Sequence, residues 1–374
     1  MRIGILTLPF NNNYGGYLQS YALMTILKRM GQDPMLLMRR HNKIKKSILF
    51  HVKFGIKGIL KSVLKFKRYP IFFDEELYYR QSGRLMISFV NRYIEPQSPF
   101  FYTTEELKQF CEGRFDAYIV GSDQVWRPDY VGGVLYNLFL DFTKGWNVKR
   151  IAYAASFGTN KPYFNAEQID VCGRLINSFD AISLRELSGR EVFRHLGWRN
   201  DNMQIVLDPT MLLSKADYSA LIPNTKSYYC DKIVSYVLDN SETIKYLQTE
   251  VSKSLNKNVI SFDNANKALK PSIEEWLMAF RDCDSVITDS FHGTVFAIIF
   301  NKPFVVVTNS KRGADRFYSL LSQFDLVERM LVKDKIKEQV SNLKPINWDK
   351  VNYKLNRRKN ESVDFLFKNL KGGN

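Results

Sequence analysis

The chain of 374 residues has little cysteine and little histidine, and both shortages exclude kinds of site. The four cysteines stand singly, without the close pairs that a disulfide framework or a zinc site requires. No set of His, Asp and Cys has the spacing of metal ligands, so we expect no bound metal. Free thiols in a reducing compartment fit these positions best: Cys111, Cys172, Cys230 and Cys283.

Long apolar runs, internal repeats and low-complexity tracts are also missing. No stretch reaches the roughly 20 apolar residues that a membrane span needs. The apolar start, residues 3–6, is far shorter than a secretory core and lacks a small-residue cleavage site, so it is predicted to be a first strand. These features predict a cytoplasmic location.

Acidic residues are scarce relative to basic ones, 38 against 54, which gives a formal net charge of +16. A net positive charge of this size creates an electrostatic field that attracts anions. Phosphorylated small molecules, nucleic acid and anionic lipid are therefore all compatible with it as partners. Nucleic acid is disfavoured because no recognised binding module accompanies the charge.

Much of the basic charge lies between residues 39 and 68, which hold eleven Lys or Arg and no acidic residue. The aliphatic residues there fall mainly on one helical face, opposite Lys46, Lys53, Lys57 and Lys61, as in a helix lying on an anionic bilayer. The protein would then be peripheral on the inner face of the plasma membrane. The alternative is an insertion that packs on its domain with a solvated basic face.

Short strand-like runs alternate with helical periodicity along most of the chain, which predicts an α/β fold with parallel sheets. With 45% apolar residues, the length suffices for two cores. We predict a first domain at residues 1–212, with the basic insertion at about 39–70, and a second at 213–345. A C-terminal helical segment, 346–374, is expected to pack back on the first domain.

The strongest polar motif, residues 288–293, lies where a predicted strand ends and a helix begins. Ligands collect at that edge of open α/β sheets. His292 would lie in the first helical turn, where unpaired N–H groups favour an anion, with Asp289 and Ser290 beside it. The alternative is a histidine that caps its own helix.

Arg185 lies at another predicted strand-to-helix transition, residues 183–186. Its planar guanidinium can hold a carboxylate or a phosphate through paired hydrogen bonds. The alternative is a salt bridge to Glu186 or to another neighbour.

A third motif, residues 121–128, opens from a predicted strand into glycine, small polar residues and an aromatic residue. Asp123 and Gln124, with Ser122 next to them, are expected to bind sugar hydroxyl groups, and Trp126 to offer a ring face. The alternative is ordinary packing of an aromatic residue beside a loop.

Two further segments could contact an anion. The loop at residues 11–16, with Gly15 and Gly16, resembles a backbone cradle at a helix N-terminus, although it is not the dinucleotide glycine fingerprint. Lys311, Arg312 and Arg316 follow the last strong strand and would supply cations, unless they form a solvated loop. A glycine-flanked serine nucleophile is absent from the sequence.

Six motifs, taken in order, resemble those of the polysaccharide pyruvyl transferase family. Each motif is degenerate alone, but together they make the resemblance specific over residues 2 to 317. They are residues 13–19, 121–126, 153–158, 183–186, 208–210 and 289–293.

The resemblance implies two Rossmann-like domains facing across a cleft, as in GT-B glycosyltransferases, with the acceptor side first and the donor side second. It implies phosphoenolpyruvate as co-substrate, no further cofactor, and a sugar or lipid-linked oligosaccharide acceptor that becomes a cyclic pyruvate ketal. His292 and Arg185 would contact the donor. Some relatives have an arginine at the position of Ser290, so here Lys311, Arg312 and Arg316 are expected to complete the anion site.

The implied chemistry needs an acid to protonate the methylene carbon and a base to accept a hydroxyl proton. His292 is the expected acid, because its ordinary pKa allows proton exchange near neutral pH, and Asp289 or Asp123 the expected base. Two alternatives stay open: a GT-B glycosyltransferase that uses a nucleotide sugar, and a non-catalytic membrane-surface scaffold.

Overall fold

The computed structural model describes residues 1–11, 13–41, 48–65, 82–161, 163–198, 202–225, 227–239, 241–262, 270–308 and 313–371. Within these ranges the chain forms two parallel sheets, one of seven strands and one of five, with helices between successive strands.

The first sheet has the order β3-β2-β1-β4-β5-β6-β7, and every neighbouring pair is parallel. Chain order therefore changes direction at β1, which pairs with both β2 and β4. Crevices outside the carboxyl ends of strands at such a switch point are where open α/β sheets bind ligands. The strands are β1 (Arg2–Leu6), β2 (Asp33–Arg39), β3 (Gln97–Phe101), β4 (Ala117–Asp123), β5 (Lys149–Ala155), β6 (Ala181–Leu184) and β7 (Gln204–Ile205).

Eight helices accompany this part of the described chain. Their ends follow local sequence signals: Asn13 caps the first helix by accepting a hydrogen bond from the amide of Gly15, and Lys28 and Arg29 occupy its last turn. They are α1 (Tyr14–Arg29), α2 (Ile48–Lys65), α3 (Arg84–Tyr93), α4 (Thr104–Cys111), α5 (Pro128–Val131), α6 (Ala166–Ile176), α7 (Ser188–His195) and α8 (Lys215–Ser219).

The second sheet has the order β12-β11-β10-β8-β9 and is also parallel throughout. Its strands are β8 (Ile233–Tyr236), β9 (Val259–Ser261), β10 (Ser285–Thr288), β11 (Phe304–Val307) and β12 (Met330–Leu331). The remaining described helices are α9 (Glu242–Leu255), α10 (Ile273–Asp282), α11 (Phe291–Ile299), α12 (Asp315–Ser322), α13 (Ile336–Ser341) and α14 (Trp348–Leu370).

The long C-terminal helix α14 lies against the first sheet. The amide of Leu207 donates to Oγ of Ser362 at 3.0 Å, and the ring of Phe365 lies 6.2 Å from that of Tyr153 on β5. Among the described helices, none has a window apolar and long enough to cross a membrane.

The two sheets are joined by a shared apolar core. One cluster of buried side chains extends from Ile3 on β1, through Tyr14, to residues of the second sheet and its helices. The Tyr14 ring stacks on Trp276 of α10 at 5.4 Å, and its hydroxyl donates to the carbonyl oxygen of Pro271 at 2.9 Å. The start of α1 is therefore anchored in the second half of the chain.

Candidate active site

Arg185 directly follows β6, and its guanidinium is surrounded by carboxylates. Nη1 donates to Oδ2 of Asp208 at 3.0 Å, and Nη2 donates to Oδ1 of Asp123 and Oγ of Ser156, both at 3.3 Å. An oxygen of Glu186 lies 3.6 Å from Nε. Burial opposes the charge, but Asp123 and Asp208 outweigh it and raise the pKa of Arg185 above its usual range.

These contacts correct one expectation. Arg185 was predicted to hold a ligand carboxylate or phosphate, yet in this structure its donors are occupied by carboxylates of the chain itself. Its side chain is 1% exposed. The alternative, a salt bridge with neighbouring residues, matches this geometry. Arg185 therefore orders the carboxylates of the site.

Asp208, which follows β7, is the centre of the network. Its Oδ2 accepts hydrogen bonds from Arg185 and from Oγ of Ser122, the latter at 3.1 Å. Its Oδ1 accepts from the amide and the hydroxyl of Thr210 at 3.0 and 2.7 Å. Burial alone would raise the pKa of Asp208, but His292 and Arg185 hold it well below its ordinary range, so the carboxylate is ionised.

Sequence reasoning missed Asp208 as a site residue. Its motif, residues 208–210, entered only as part of the family resemblance, and Asp208 was given no role in the site. The position of a polar motif at the carboxyl edge of a parallel sheet is the signal that could have identified it.

His292 is the second residue of α11 and reaches Asp208 from the other half of the chain. Its Nε2 lies 3.5 Å from Oδ2 of Asp208 and makes no hydrogen bond to the described residues. The opposite side of the ring packs on Gly15, where an added Cβ would lie 1.9 Å from Nδ1. Arg185 and His292 are thus brought to the same carboxylate.

Arg316 on α12 is a second buried cation close to Arg185. The ring of Phe291 lies 4.2 Å from the guanidinium carbon of Arg185 and 5.8 Å from that of Arg316. Arg316 is 7% exposed, and its Nε has no hydrogen-bond partner among the described residues. Burial, together with repulsion from Arg185, lowers the pKa of Arg316 to about 10. A buried cation with an unsatisfied donor creates a local preference for an anion.

Two residues of the histidine motif have structural partners instead of the predicted chemical roles. Both carboxylate oxygens of Asp289 accept backbone hydrogen bonds, from Leu238 at 2.6 Å and from Asp239 at 3.0 Å. Asp289 therefore fixes the loop after β8, and its expected role as the base is not supported by this geometry. Ser290 caps α11 by accepting from the amide of Gly293.

Within the motif at 121–128, Asp123 points into the site, whereas Gln124 and Trp126 do not. Oε1 of Gln124 accepts from Nη1 of Arg127 at 2.9 Å. Trp126 is fully buried, donates from Nε1 to the carbonyl of Leu138, and stacks on Phe139 at 5.1 Å. The expectation that Trp126 offers a ring face to a sugar is therefore wrong for this structure, because neighbouring aromatic side chains cover it.

The predicted backbone cradle is also corrected. The amide of Gly15 donates to Oδ1 of Asn13, and that of Gly16 donates to the carbonyl of Asn13, at 3.2 and 3.0 Å. Neither N–H is available to a phosphate. Lys311 and Arg312 lie outside the described residues.

The site is closed in this structure. Arg185 and His292 are 3% and 5% exposed, because the two halves of the chain meet over them. The amide of Leu187 donates to Oγ of Ser319 at 3.1 Å, so the residues following β6 contact α12 directly. The side chains of Arg185 and His292 are therefore nearly covered in this structure.

Two parallel α/β sheets that meet over a buried polar site define a protein with two Rossmann-like domains in a GT-B-like arrangement, as predicted. Arabidopsis thaliana UGT89C1 complexed with UDP-L-rhamnose shares this fold at 12% identity and a TM-score of 0.50, with 98% of each chain covered. The UDP-GlcNAc 2-epimerase of Methanocaldococcus jannaschii, in complex with UDP-GlcNAc and UDP, has 12% identity and a TM-score of 0.48, covering 98% of this chain and 100% of that one.

The family model described as polysaccharide pyruvyl transferase matches residues 13–311, and the chain belongs to that family. The match includes Arg185, Asp208 and His292. Among curated proteins, none matches significantly.

Proposed function

We propose that the protein transfers the enolpyruvyl unit of phosphoenolpyruvate to two hydroxyl groups of one sugar, forming a cyclic ketal and releasing phosphate. The acceptor is a sugar of a surface polysaccharide or of its lipid-linked precursor. Family membership supports this class of reaction. The structural observation that carries the proposal is the buried cation Arg316, whose Nε makes no hydrogen bond to the described residues, beside the network of Arg185, Asp208 and His292.

A small phosphorylated acid suits this charge distribution. Phosphoenolpyruvate carries a phosphate and a carboxylate, and either group can form paired hydrogen bonds with a guanidinium. Arg185 already has its charge balanced by Asp123 and Asp208, so Arg316 is the described residue that gains most from an incoming anion. Arg316 was one of three cations expected to complete the anion site.

The reaction balances with two additions at the same carbon. In the first, a sugar oxygen bonds to C2 while the methylene carbon accepts a proton, and the hydroxyl proton passes to a base. In the second, a neighbouring hydroxyl bonds to C2 as the bond to phosphate breaks, and its proton leaves with the phosphate. The products are the ketal and inorganic phosphate.

His292 supplies the proton in this proposal, and Asp208 positions the ring. The carboxylate of Asp208 lies 3.5 Å from Nε2 of His292, close enough to orient the ring. Asp123, the remaining predicted base, lies at the end of β4 against Arg185, and accepts the first hydroxyl proton. The positive charge of Arg316 stabilises the departing phosphate.

The test is incubation of the protein with phosphoenolpyruvate and a panel of lipid-linked saccharides. The expected result is release of phosphate in equal amount with a product heavier than the acceptor by one pyruvate less one water. Reactions from which one substrate at a time is omitted are the controls.

A GT-B glycosyltransferase activity is the competing function. Consumption of a nucleotide sugar with no phosphate release from phosphoenolpyruvate, across the same acceptors, would replace the present proposal with that one.

A further inference from the structure

Helix α2 turns aliphatic side chains toward solvent. At about 100° per residue their positions fall within an arc of about 140°, which makes a continuous stripe along the helix. These side chains are between 50% and 77% exposed: Val52, Ile56, Ile59, Leu60, Val63 and Leu64.

The side of α2 that faces the protein is made of small residues. Gly55 and Gly58 are buried, whereas the larger aliphatic residues around them are not. A helix on the surface of a globular protein normally has the reverse arrangement, with its apolar stripe toward the core. An exposed contiguous apolar surface of this kind marks an interaction site.

The basic residues beside the aliphatic stripe indicate what kind of partner it binds. Lys53 and Lys57 are exposed and lie at one margin of the stripe, about 100° and 140° around the helix from Val52, not opposite the stripe as the sequence pattern predicted. In the sequence around them, residues 39–68 contain eleven basic residues and no acidic one. A surface with exposed aliphatic groups along a helix and lysines at its margin matches a bilayer interface with anionic headgroups.

The strand that precedes α2 in the chain ends at the site edge of the first sheet. β2 runs parallel to β1, so its end at Arg39 lies at the same sheet edge as the ends of β4 and β6. The described chain resumes at Ile48 as α2, and Asp123 and Arg185 lie at that same edge. We propose that α2 docks the protein on an anionic membrane surface, with the site edge of the first sheet on the docked side.

Vesicle flotation with purified full-length protein tests this proposal. The vesicles are phosphatidylcholine, with or without phosphatidylglycerol. One variant removes the stripe (Ile56→Gln, Leu60→Gln, Val63→Gln), and a second reverses the charge beside it (Lys53→Glu, Lys57→Glu). The matched control makes the same charge change on the exposed lysines near α13 (Lys335→Glu, Lys337→Glu).

The wild-type protein and the control are expected to float with the anionic vesicles, and both α2 variants to bind about tenfold more weakly or worse. High salt should release the wild-type protein. Thermal melting of each variant separates lost binding from lost folding.

Equal flotation of wild-type and both α2 variants overturns the proposal. So does equal binding to vesicles without anionic lipid, since the lysines would then have no role. A wild-type dimer that becomes monomeric in the stripe variant, with vesicle binding absent, assigns the surface to self-association instead. None of these readouts depends on pyruvyl transfer.

Discussion

The imidazole of His292 and the carboxylate of Asp208 face each other at 3.5 Å, although 84 residues separate them and they follow strands of different sheets. Asp208 is bound to Arg185 on the same oxygen, so one carboxylate joins a cation of the first sheet to the histidine of the second. The site is consequently assembled from residues of both halves of the chain.

Replacing His292 by Ala should reduce turnover by about 10²-fold or more, because a lost acid–base group usually costs that much. The measurement is phosphate release from phosphoenolpyruvate at saturating acceptor. His195→Ala is the matched control, since that side chain is exposed on α7 and its hydrogen bond in the described part of the chain is to the carbonyl of Glu191 in the same helix. Near-normal turnover of the His292 variant would remove the imidazole from the reaction.

Gly15→Ala should lower activity strongly, because the new methyl group would overlap the His292 ring and displace it. Gly16→Ala is the control: no atom lies within 4 Å of its added Cβ. Inside α1 that change should raise the free energy of unfolding by about 0.5–1 kcal/mol and leave activity intact. Activity assays and urea unfolding of both variants check this, and equal activity of the two would contradict the close packing.

Arg316→Met should preserve or raise the melting temperature, because it removes a buried charge whose Nε makes no hydrogen bond to the described residues. The KM for phosphoenolpyruvate should rise about tenfold or more, the scale of a lost charge-assisted hydrogen bond. Arg174→Met, at an exposed position on α6, is the control. A destabilised variant with unchanged KM would show that Arg316 serves the fold instead.

Asp208→Asn should lower the free energy of unfolding at neutral pH by about 3–5 kcal/mol, because Arg185 would lose a buried partner. The pKa of Asp208 is lower in the folded chain than in the unfolded one. Its stabilisation is therefore complete above the unfolded pKa of about 4 and is lost as pH falls toward the folded value.

The difference in stability between wild-type and Asp208→Asn should thus shrink below about pH 4. Denaturant unfolding at pH 7, 5 and 3 measures it. Asp325→Asn is the control, because that exposed carboxylate pairs with Lys350 and Lys354 at the surface and should matter little. A stability difference between the two proteins that grows as the pH is lowered would contradict the assigned ionisation of Asp208.

Trp126→Phe should leave the KM for the acceptor unchanged, since the ring lies in the core of the first domain. Trp126→Ala should cost about 3–5 kcal/mol of stability, as for other large-to-small core changes. Acceptor saturation curves and denaturant unfolding check the pair. A raised KM for the acceptor in a stable Trp126→Phe variant would support the original prediction that the Trp126 ring contacts the sugar.

Much of the fold was predictable because parallel α/β proteins alternate strongly apolar strands with amphipathic helices. Runs such as those at β4 and β10 are continuous and apolar, and they were identified. β2 and β3 were not, because Pro34 and Pro99 interrupt their patterns. Two-residue β12 has too few residues to show any periodicity.

The site was predictable where a residue sits at a strand-to-helix transition, which led to Arg185 and His292. The partner of a charge could not be predicted, because Asp208 reaches both residues only through tertiary structure. Trp126 was wrongly predicted for the same reason. An aromatic residue beside a loop is easily taken for an exposed one, and only the tertiary structure shows that Phe139 and its neighbours cover the ring.

The anchoring of Tyr14 has a consequence for motion. Its ring is stacked on Trp276, so any separation of the two halves wide enough to uncover His292 must part or carry along this pair of aromatic rings. The apolar area exposed by parting them favours the shut form when no substrate is present. The indole of Trp276 would change its surroundings in that step, which gives the molecule its own optical probe of opening.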